Sequence, residues 1–316
     1  MKQFTSVADA GNVSDLILEA ITVKSNLHGN ADLGKGKTLA LLFLNPSLRT
    51  RMSTQKAAYN LGMNVMVVNL DKDSWQIEFE DGAIMNSTKS EHIKEAAGVV
   101  SQYCDIIGVR CFPGLMDRDK DYNEEILNSF LKYCNKPLIS LESGTRHPLQ
   151  SFADMITIAE TKQKEKPKVV LTWAPHVKAL PQAVPNSFTE WAVASGAEVV
   201  ITHPEGYELD EQFSKGATIE YNQDYALVGA DYVYVKNWSS FTDYGAMPEV
   251  KENWLLTMGK MKLTNAAKVM HCLPVRRNVE LSDEILDSTS SLVQHQAGNR
   301  VVVAQTILKK MLEANS

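Results

Sequence analysis

The sequence predicts an α/β protein of two domains, each a parallel sheet flanked by helices. Short apolar or β-branched runs alternate with segments of helical periodicity along the chain, and strands separated by helices pair in parallel through crossover connections. The length of 316 residues, with 44% hydrophobic and 22% charged residues, suits a globular protein of two domains. A single sheet is the alternative, but two halves of about four or five strands fit the length better.

Eight runs are predicted as strands because they are short, apolar and rich in β-branched residues. They are Thr38–Leu44, Asn64–Val68, Asp105–Arg110, Pro137–Leu141, Lys168–Trp173, Glu198–His203, Asp231–Val235 and Lys268–Cys272. Most of the gaps between them show helical periodicity. The closing segment RVVVAQTILKKMLEANS predicts a final helix.

Charge and cysteine usage exclude several classes of protein. With a net charge of −6 and a pI near 5.7, nothing draws the whole chain to nucleic acid or an anionic membrane, so an anion site must be a local cluster. We expect a cytoplasmic protein, because there is no apolar signal segment at the N-terminus and no apolar run of about 18 residues. The cysteines form no C-x-x-C pair, so we expect reduced thiols and neither a disulfide nor a zinc site. They are Cys104, Cys111, Cys134 and Cys272.

A candidate anion site follows the first long strand. Asn-Pro-Ser makes a turn after Thr38–Leu44, and Ser47 is a suitable N-cap for the next helix. The free N–H groups of that helix end, with the Ser47 and Thr50 hydroxyls, favour an anion. Arg49 adds a forked donor set that matches phosphate. The helix dipole disfavours cations here, so Arg49 and Arg51 indicate a phosphate rather than side chains that extend into solvent.

Three motifs together resemble the transcarbamylases. Ser47–Arg51 (SLRTR) is similar to their S-x-R-T-R signature, His147–Asp154 (HPLQSFAD) resembles H-P-x-Q-x-x-A-D, and His271–Pro274 (HCLP) matches the ornithine-type branch. The resemblance implies a carbamoyl-phosphate-binding domain over 1–148, completed by a C-terminal helix at 298–316, and an acylornithine-binding domain over 149–297. It also implies trimers whose active sites lie between subunits, and no metal or organic cofactor.

The chemistry of such a site calls for cations and hydrogen-bond donors. Carbamoyl phosphate carries a dianionic phosphate and a carbonyl that an amine attacks, so the site must stabilise both the phosphate and the developing oxyanion. His147 and Gln150 lie three apart at a helix start and share a face, so both can reach the carbamoyl group. Arg110 and Arg300, without a local motif, are assigned as cations by the resemblance alone, as is Trp75, which by default would be a core aromatic.

The predicted sets follow from this. The carbamoyl phosphate site is Ser47, Leu48, Arg49, Thr50, Trp75, Arg110, His147, Gln150, Leu273 and Arg300, and the catalytic set is Arg49, Arg110, His147, Gln150, Cys272 and Arg300.

Cys272 beside His271 raises the possibility of a cysteine nucleophile. Adjacent strand residues point to opposite faces, so the two cannot pair in a regular strand, and covalent catalysis is not expected. The resemblance instead places Cys272 and Leu273 where the attacking amine approaches.

Lys236 indicates which amine accepts the carbamoyl group. In ornithine transcarbamylases an aspartate two residues before a tryptophan holds the free α-ammonium, and here YVKNW has Lys236 at that position. A lysine repels an ammonium and attracts a carboxylate, which favours an ornithine whose α-amine is acylated. Arg276 and Arg277 follow HCLP as in the N-acetyl- and N-succinylornithine branch, whose substrate-side residues are also matched by Glu142, His176 and Asn186.

The acyl group depends on a loop from the neighbouring subunit. The branch has glutamate there in acetyl enzymes and proline in succinyl enzymes, and this sequence has Ser90. A glutamate would oppose the second carboxylate of a succinyl group, whereas Lys89 and Arg276 would attract it. We therefore expect transfer to the δ-amine of N-succinyl-L-ornithine, giving N-succinyl-L-citrulline and phosphate in arginine biosynthesis. N-acetylornithine, free ornithine and aspartate remain alternative amines, and a non-catalytic binder of an anionic metabolite is the alternative from another class.

Overall fold

The computed structural model describes residues 1–70 and 72–314. The strands are β1 Gln3–Phe4, β2 Thr38–Phe43, β3 Asn64–Asn69, β4 Ile77–Glu78, β5 Glu91–His92, β6 Ile106–Arg110, β7 Leu138–Glu142, β8 Lys168–Trp173, β9 Glu198–Thr202, β10 Thr218–Glu220, β11 Tyr232–Lys236 and β12 Lys268–Met270. The helices are α1 Val13–Ser25, α2 Leu48–Asn60, α3 Ile93–Tyr103, α4 Arg118–Tyr122, α5 Glu125–Tyr133, α6 Pro148–Thr161, α7 Ala183–Ala194, α8 Glu211–Ser214, α9 Gln223–Leu227, α10 Met258–Met261, α11 Asp283–Leu286 and α12 Val293–Glu313. A single 3-10 turn covers Val7–Ala10.

The strands form two large sheets, and every pairing within them is parallel. The first has the order β1-β7-β6-β2-β3 and the second β10-β9-β8-β11-β12. A short parallel pair, β4 with β5, lies outside them. The predicted fold class is confirmed, and the alternative of one continuous sheet is wrong.

All eight predicted strands are present, with ends that differ by up to two residues. The largest difference is at β12, which ends at Met270 rather than at Cys272. The strands that pattern reading missed are β1, β4, β5 and β10, which are two or three residues long.

The final helix joins the two halves. It begins at Val293, before the predicted 298, and residues 315 and 316 of that prediction lie outside the described residues. Its apolar residues belong to one hydrophobic cluster that also contains residues of both sheets, such as Leu41 and Val169. The sheets occupy 3–142 and 168–270, so the predicted boundary at 148/149 falls between them and stays a prediction.

Helix α6 is buried on every side over its first three turns. All residues from Pro148 to Ile158 are buried, including Gln150 and Asp154. Buried polar groups need hydrogen-bond partners, and Gln150 and Asp154 find theirs in each other and in α12. Within the described ranges, no helix is both long enough and apolar enough to cross a membrane.

Candidate active site

Many of the predicted residues lie at or just after the carboxyl ends of strands. Arg110 and Glu142 are the last residues of β6 and β7, and Lys236 is the last residue of β11. Ser47 follows β2, and Cys272 follows β12. Ligands of open parallel sheets bind outside these ends, so the topology brings residues distant in sequence to one region.

The N-terminus of α2 is built as predicted. Ser47 is the N-cap, and its Oγ accepts from the Thr50 N–H at 3.3 Å. The Leu48 side chain is 70% exposed, so this residue offers the site only its backbone. Thr50 is buried, and its Oγ1 accepts from Arg300 Nη2 at 2.7 Å. The final helix thus places a cation at the start of α2.

Three arginines share this region. Burial is the main cause that lowers the pKa of Arg49 and of Arg300, the latter to about 10, and the positive charge of Arg110 lowers both further. The Nε atom of each of the three is buried and has no acceptor among the described residues. Like charges that are partly removed from water repel one another. A multiply charged anion with several oxygens would relieve that repulsion and accept from the free donors.

Arg51 does not join the cluster. Its guanidinium hydrogen-bonds to Asn69 and lies over the Phe43 ring, 4.9 Å from the centroid. Residues two apart on a helix point in different directions, so the prediction that both arginines of the motif face a phosphate applies to Arg49 only.

Glu142 and His147 lie among the arginines. Glu142 forms a buried ion pair with Arg110, and its Oε2 is 3.3 Å from His147 Nε2. Burial, then Arg300, Arg110 and Arg49, hold the pKa of His147 well below its usual value, so the imidazole is neutral. Glu142, predicted on the acylornithine side, therefore contacts the residues of the carbamoyl phosphate side.

Gln150 is brought directly to the cluster. Its Oε1 accepts from Arg300 Nη1 at 2.5 Å, and its Nε2 donates to Asp154 Oδ1 at 2.8 Å. In the sequence Asp154 is only the last residue of a motif, and its contact partner Gln296 carries no signal.

The predicted acylornithine side of the region contains a buried cation, Lys236. Lys236 is 7% exposed, and within the described chain no carboxylate lies in ion-pair distance of it. Its charge acts on Cys272 and on Glu280, so all three are neighbours. Asn186 on α7 is fully buried, and neither atom of its side-chain amide has a hydrogen-bond partner among the described residues.

Strand geometry does not exclude Cys272 as a nucleophile, contrary to the prediction from the sequence. His271 and Cys272 lie beyond the end of β12, so the rule of opposite strand faces does not apply. His271 instead accepts from the Leu273 N–H through Nδ1 at 2.8 Å and faces Glu280 through Nε2 at 3.3 Å. Both ring nitrogens are therefore occupied elsewhere. Burial raises the pKa of the Cys272 thiol, which leaves it protonated near neutral pH.

We expect Cys272→Ser to retain measurable turnover, because a protonated thiol without a base lines the site and does not attack. Intact-mass spectra recorded during turnover should show no carbamoyl adduct on the chain. The serine variant serves as the control for any mass increase that appears in the wild type. A carbamoyl group on Cys272 would overturn direct transfer.

Two arginines after HCLP have different surroundings. Arg276 Nε donates to His176 Nε2 at 3.0 Å, so these two predicted substrate residues are brought together. Arg277 forms ion pairs with Asp283 and Asp287 on the surface, at 2.9 and 2.8 Å. Of the pair, only Arg276 is placed beside another predicted site residue.

Trp75 and Ser90 lie apart from the arginines, on an exposed segment. Trp75 is 56% exposed, and its Nε1 donates to Glu91 at 2.7 Å. The Ser90 N–H donates to the Gln76 carbonyl at 3.0 Å. Lys89 is paired with Glu78 at 2.8 Å. In the part of the chain that is described, no hydrogen bond or ion pair joins Trp75 or Ser90 to the arginine cluster.

Comparisons with known proteins agree with this geometry. Residues 2–160 match the aspartate/ornithine carbamoyltransferase carbamoyl-P binding domain, and residues 181–311 match the Asp/Orn binding domain of the same family. An N-succinylornithine carbamoyltransferase of Bacteroides fragilis is 50% identical, over 99% of each chain. An N-acetylornithine carbamoyltransferase of Xylella fastidiosa is 37% identical, over 98% of each.

A solved structure is similar over the whole chain. It is the crystal structure of a glutamate-to-serine mutant of N-acetyl-L-ornithine transcarbamylase, complexed with carbamyl phosphate and N-succinyl-L-norvaline. It has a TM-score of 0.90 and 35% identity, and covers 98% of this chain and 100% of that one.

Proposed function

Because this chain belongs to the aspartate/ornithine carbamoyltransferase family, we propose that it carbamoylates an N-acylornithine. The carbamoyl group passes from carbamoyl phosphate to the δ-amine of N-succinyl-L-ornithine, giving N-succinyl-L-citrulline and phosphate in arginine biosynthesis. The observation that carries the proposal is the cluster of Arg49, Arg110 and Arg300, whose buried Nε donors have no acceptor among the described residues, together with Lys236 on the substrate side, which has no ion-pair partner in the described chain.

In this mechanism the arginines and the N-terminus of α2 hold the phosphate. The δ-nitrogen attacks the carbonyl carbon, the new N–C bond forms, and the C–O bond to phosphate breaks. Neutral His147 and Gln150 lie next to the arginines, where they contact the carbamoyl group. Cys272 is protonated and both ring nitrogens of His271 are engaged, so neither residue acts as the base, and the proton of the amine leaves with the phosphate. Rate enhancement comes from positioning and from charge stabilisation.

Lys236 selects an acylated substrate. A buried lysine that has no carboxylate partner within residues 1–70 and 72–314 attracts the substrate's α-carboxylate and repels a free α-ammonium. An acylated α-nitrogen carries no charge and avoids that repulsion. The 50% identity to an N-succinylornithine carbamoyltransferase supports the same class of substrate.

The succinyl group is favoured by the small, neutral side chain at Ser90. The acetylornithine enzyme whose glutamate is replaced by serine was crystallised with N-succinyl-L-norvaline, which supports the idea that serine leaves space for a succinyl chain. Arg276 lies beside His176 and is exposed, so it is available to the distal carboxylate. Lys89 is less suited, since it is paired with Glu78.

We further propose a homotrimer in which the segment with Trp75 and Ser90 completes the site of a neighbouring subunit. Both residues are exposed here, and α2 also exposes Leu48, Met52 and Tyr59, at 70, 62 and 56%. Light scattering should give about 105 kDa, three times the chain mass of 35.1 kDa. A cytoplasmic location remains part of the proposal, as the four cysteines are free thiols.

The decisive assay compares four amines side by side. Purified protein is incubated with carbamoyl phosphate and N-succinyl-L-ornithine, N-acetyl-L-ornithine, L-ornithine or L-aspartate, and the ureido product is measured. We expect the order succinyl, then acetyl, with no turnover of ornithine or aspartate. Turnover of free ornithine would reject the assignment of Lys236, and binding of carbamoyl phosphate without turnover of any amine would favour a non-catalytic binder.

Ser90→Glu should shift the ratio of kcat/KM toward the acetyl substrate by about tenfold, or roughly 1.4 kcal/mol. A carboxylate there occupies space and repels the distal succinyl carboxylate. Ser87→Glu is the matched control, since it adds the same charge to an exposed position of the same loop. An unchanged ratio in Ser90→Glu, or an equal shift in the control, contradicts the assignment.

A further inference from the structure

Asp154 is a fully buried acid that the mechanism above does not use. Its Oδ1 accepts two hydrogen bonds, from Gln150 Nε2 at 2.8 Å and from Gln296 Nε2 at 2.7 Å. Among the described residues it forms no ion pair, and its carboxyl group lies near the Tyr234 hydroxyl, outside the geometry of a well-formed hydrogen bond. Burial raises the pKa of Asp154 to about 7, although the two amides oppose that rise. One oxygen therefore serves two side-chain amides.

The side-chain amide of Gln150 connects Asp154 to the carbamoyl phosphate side of the site. Because Asp154 takes the amide nitrogen of Gln150, the amide oxygen must face Arg300, and the distance is 2.5 Å. Arg300 in turn donates to Thr50 Oγ1 at 2.7 Å, at the start of α2. A reversed amide would put an NH₂ group against a guanidinium, two donors with no acceptor between them. The orientation of Gln150 thus depends on Asp154.

The side-chain amide of Gln296 connects Asp154 to the side of the site where the amine substrate approaches. Gln296 gives its nitrogen to Asp154, so its Oε1 accepts from the His271 N–H at 3.0 Å. His271 then accepts from the Leu273 N–H at 2.8 Å. Reversal of Gln296 would again set a donor against a donor. The backbone of the segment that faces the attacking amine is therefore held through the same oxygen.

We propose that Asp154 is a positioning residue that couples the two halves of the active site, by fixing the amide orientations of Gln150 and Gln296 through its Oδ1. The inference rests on the proposed function for the identity of the two substrates. Asp154 acts through its neighbours and does not contact either substrate. The acceptor oxygen carries this role, and the negative charge does not.

The contrast between oxygen and charge defines the test. Asp154→Asn keeps an acceptor at Oδ1 and places its NH₂ group at the Oδ2 position, where the oxygen of the nearby Tyr234 hydroxyl can accept from it. Asp154→Leu has a similar volume and no acceptor. Gln296→Met removes the hydrogen bonds of Gln296 to Asp154 and to the His271 N–H, and leaves the bond between Asp154 and Gln150 in place. Thr157→Val is the control, because it deletes another buried hydrogen bond between α6 and α12, from Asn299 at 3.0 Å, away from both glutamines.

Steady-state kinetics with both substrates and calorimetric titration with inorganic phosphate are measured for all variants, after thermal melts confirm folding. We expect Asp154→Leu to raise both KM values and the phosphate dissociation constant by about tenfold or more, a change of about 1.4 kcal/mol. Gln296→Met should raise only the KM for the acylornithine. Asp154→Asn and Thr157→Val should stay within about threefold of the wild type on every measure.

Any other result contradicts the proposal that Asp154 couples the two halves of the active site. If Asp154→Asn is as impaired as Asp154→Leu, the charge matters and positioning through Oδ1 is overturned. If Gln296→Met leaves the KM for the acylornithine unchanged, the connection from Asp154 through Gln296 to the amine side is contradicted. This result is informative even if Asp154→Leu fails to fold. The phosphate titrations need no amine, so a wild type that turns over no acylornithine rejects the proposed function while the Asp154 comparison still stands.

Discussion

Arg49→Ala is expected to lose at least about two orders of magnitude in kcat/KM for carbamoyl phosphate, roughly 3 kcal/mol of transition-state stabilisation. The guanidinium lies beside Arg110 and near Cys272, and its Nε has no acceptor among the described residues, so it is available to a ligand. A charge-assisted contact to a phosphate is about twice as strong as a neutral one. The loss should appear in both turnover and the calorimetric affinity for inorganic phosphate.

The fold should tolerate this change. Arg49 is half-buried, and its removal takes a like charge away from two other arginines. The melting temperature should therefore not fall. Lys56→Ala is the matched control, since it removes an exposed cation from the same helix and should leave turnover unchanged. Near-normal turnover of Arg49→Ala would reject the phosphate assignment.

Lys236→Met should lower kcat/KM for N-succinyl- and N-acetyl-L-ornithine alike, by about a hundredfold. The methionine keeps most of the buried volume but leaves the shared α-carboxylate without its cation, and truncating one partner of a buried charge pair costs about 2–5 kcal/mol. Steady-state kinetics with each amine, at saturating carbamoyl phosphate, measure the loss. The calorimetric affinity for phosphate should stay within about threefold, because Lys236 lies on the other side of the region.

Lys178→Met provides the comparison for Lys236. This lysine is exposed in the loop after β8. Its removal tests whether the loss of any cation from this part of the chain lowers kcat/KM, or only the loss of Lys236. We expect no change in kcat/KM for either acyl substrate. A Lys236→Met variant that changes the ratio of the two acyl substrates would place Lys236 at the acyl group, contrary to our assignment.

Much of the fold could be predicted because long strands carry their own signal. A run such as Thr38–Phe43 is apolar after its first residue, since a parallel strand is buried on both faces, and such runs stand out without any knowledge of their partners. β1 and β10 could not be found this way. They are two and three residues long and pair at the ends of the two sheets, so only the neighbouring β7 and β9 define them.

Some features of the candidate site could likewise be predicted from the sequence, and others could not. Ser47 and Arg49 lie in one local pattern, a strand followed by a capped helix, and the N-cap prediction is confirmed because the chain itself supplies the contact to Thr50. Arg51 has the same neighbours in sequence, yet the helix turns it toward Asn69. The pairing of Glu142 with Arg110 could not be read from the sequence, because it depends on β6 and β7 lying side by side.

The sequence by itself determined the class of fold and the groups available for catalysis. Periodicity and turn chemistry act over a few residues, and the three motifs contain their own spacing. Only the tertiary structure decided which of those groups meet. Arg300 and Gln150, 150 positions apart, share a hydrogen bond, and one oxygen of Asp154 orders two amides from α6 and α12. Such contacts depend on how helices pack between two sheets, where a buried polar group must find its partner in a distant part of the chain because water is excluded.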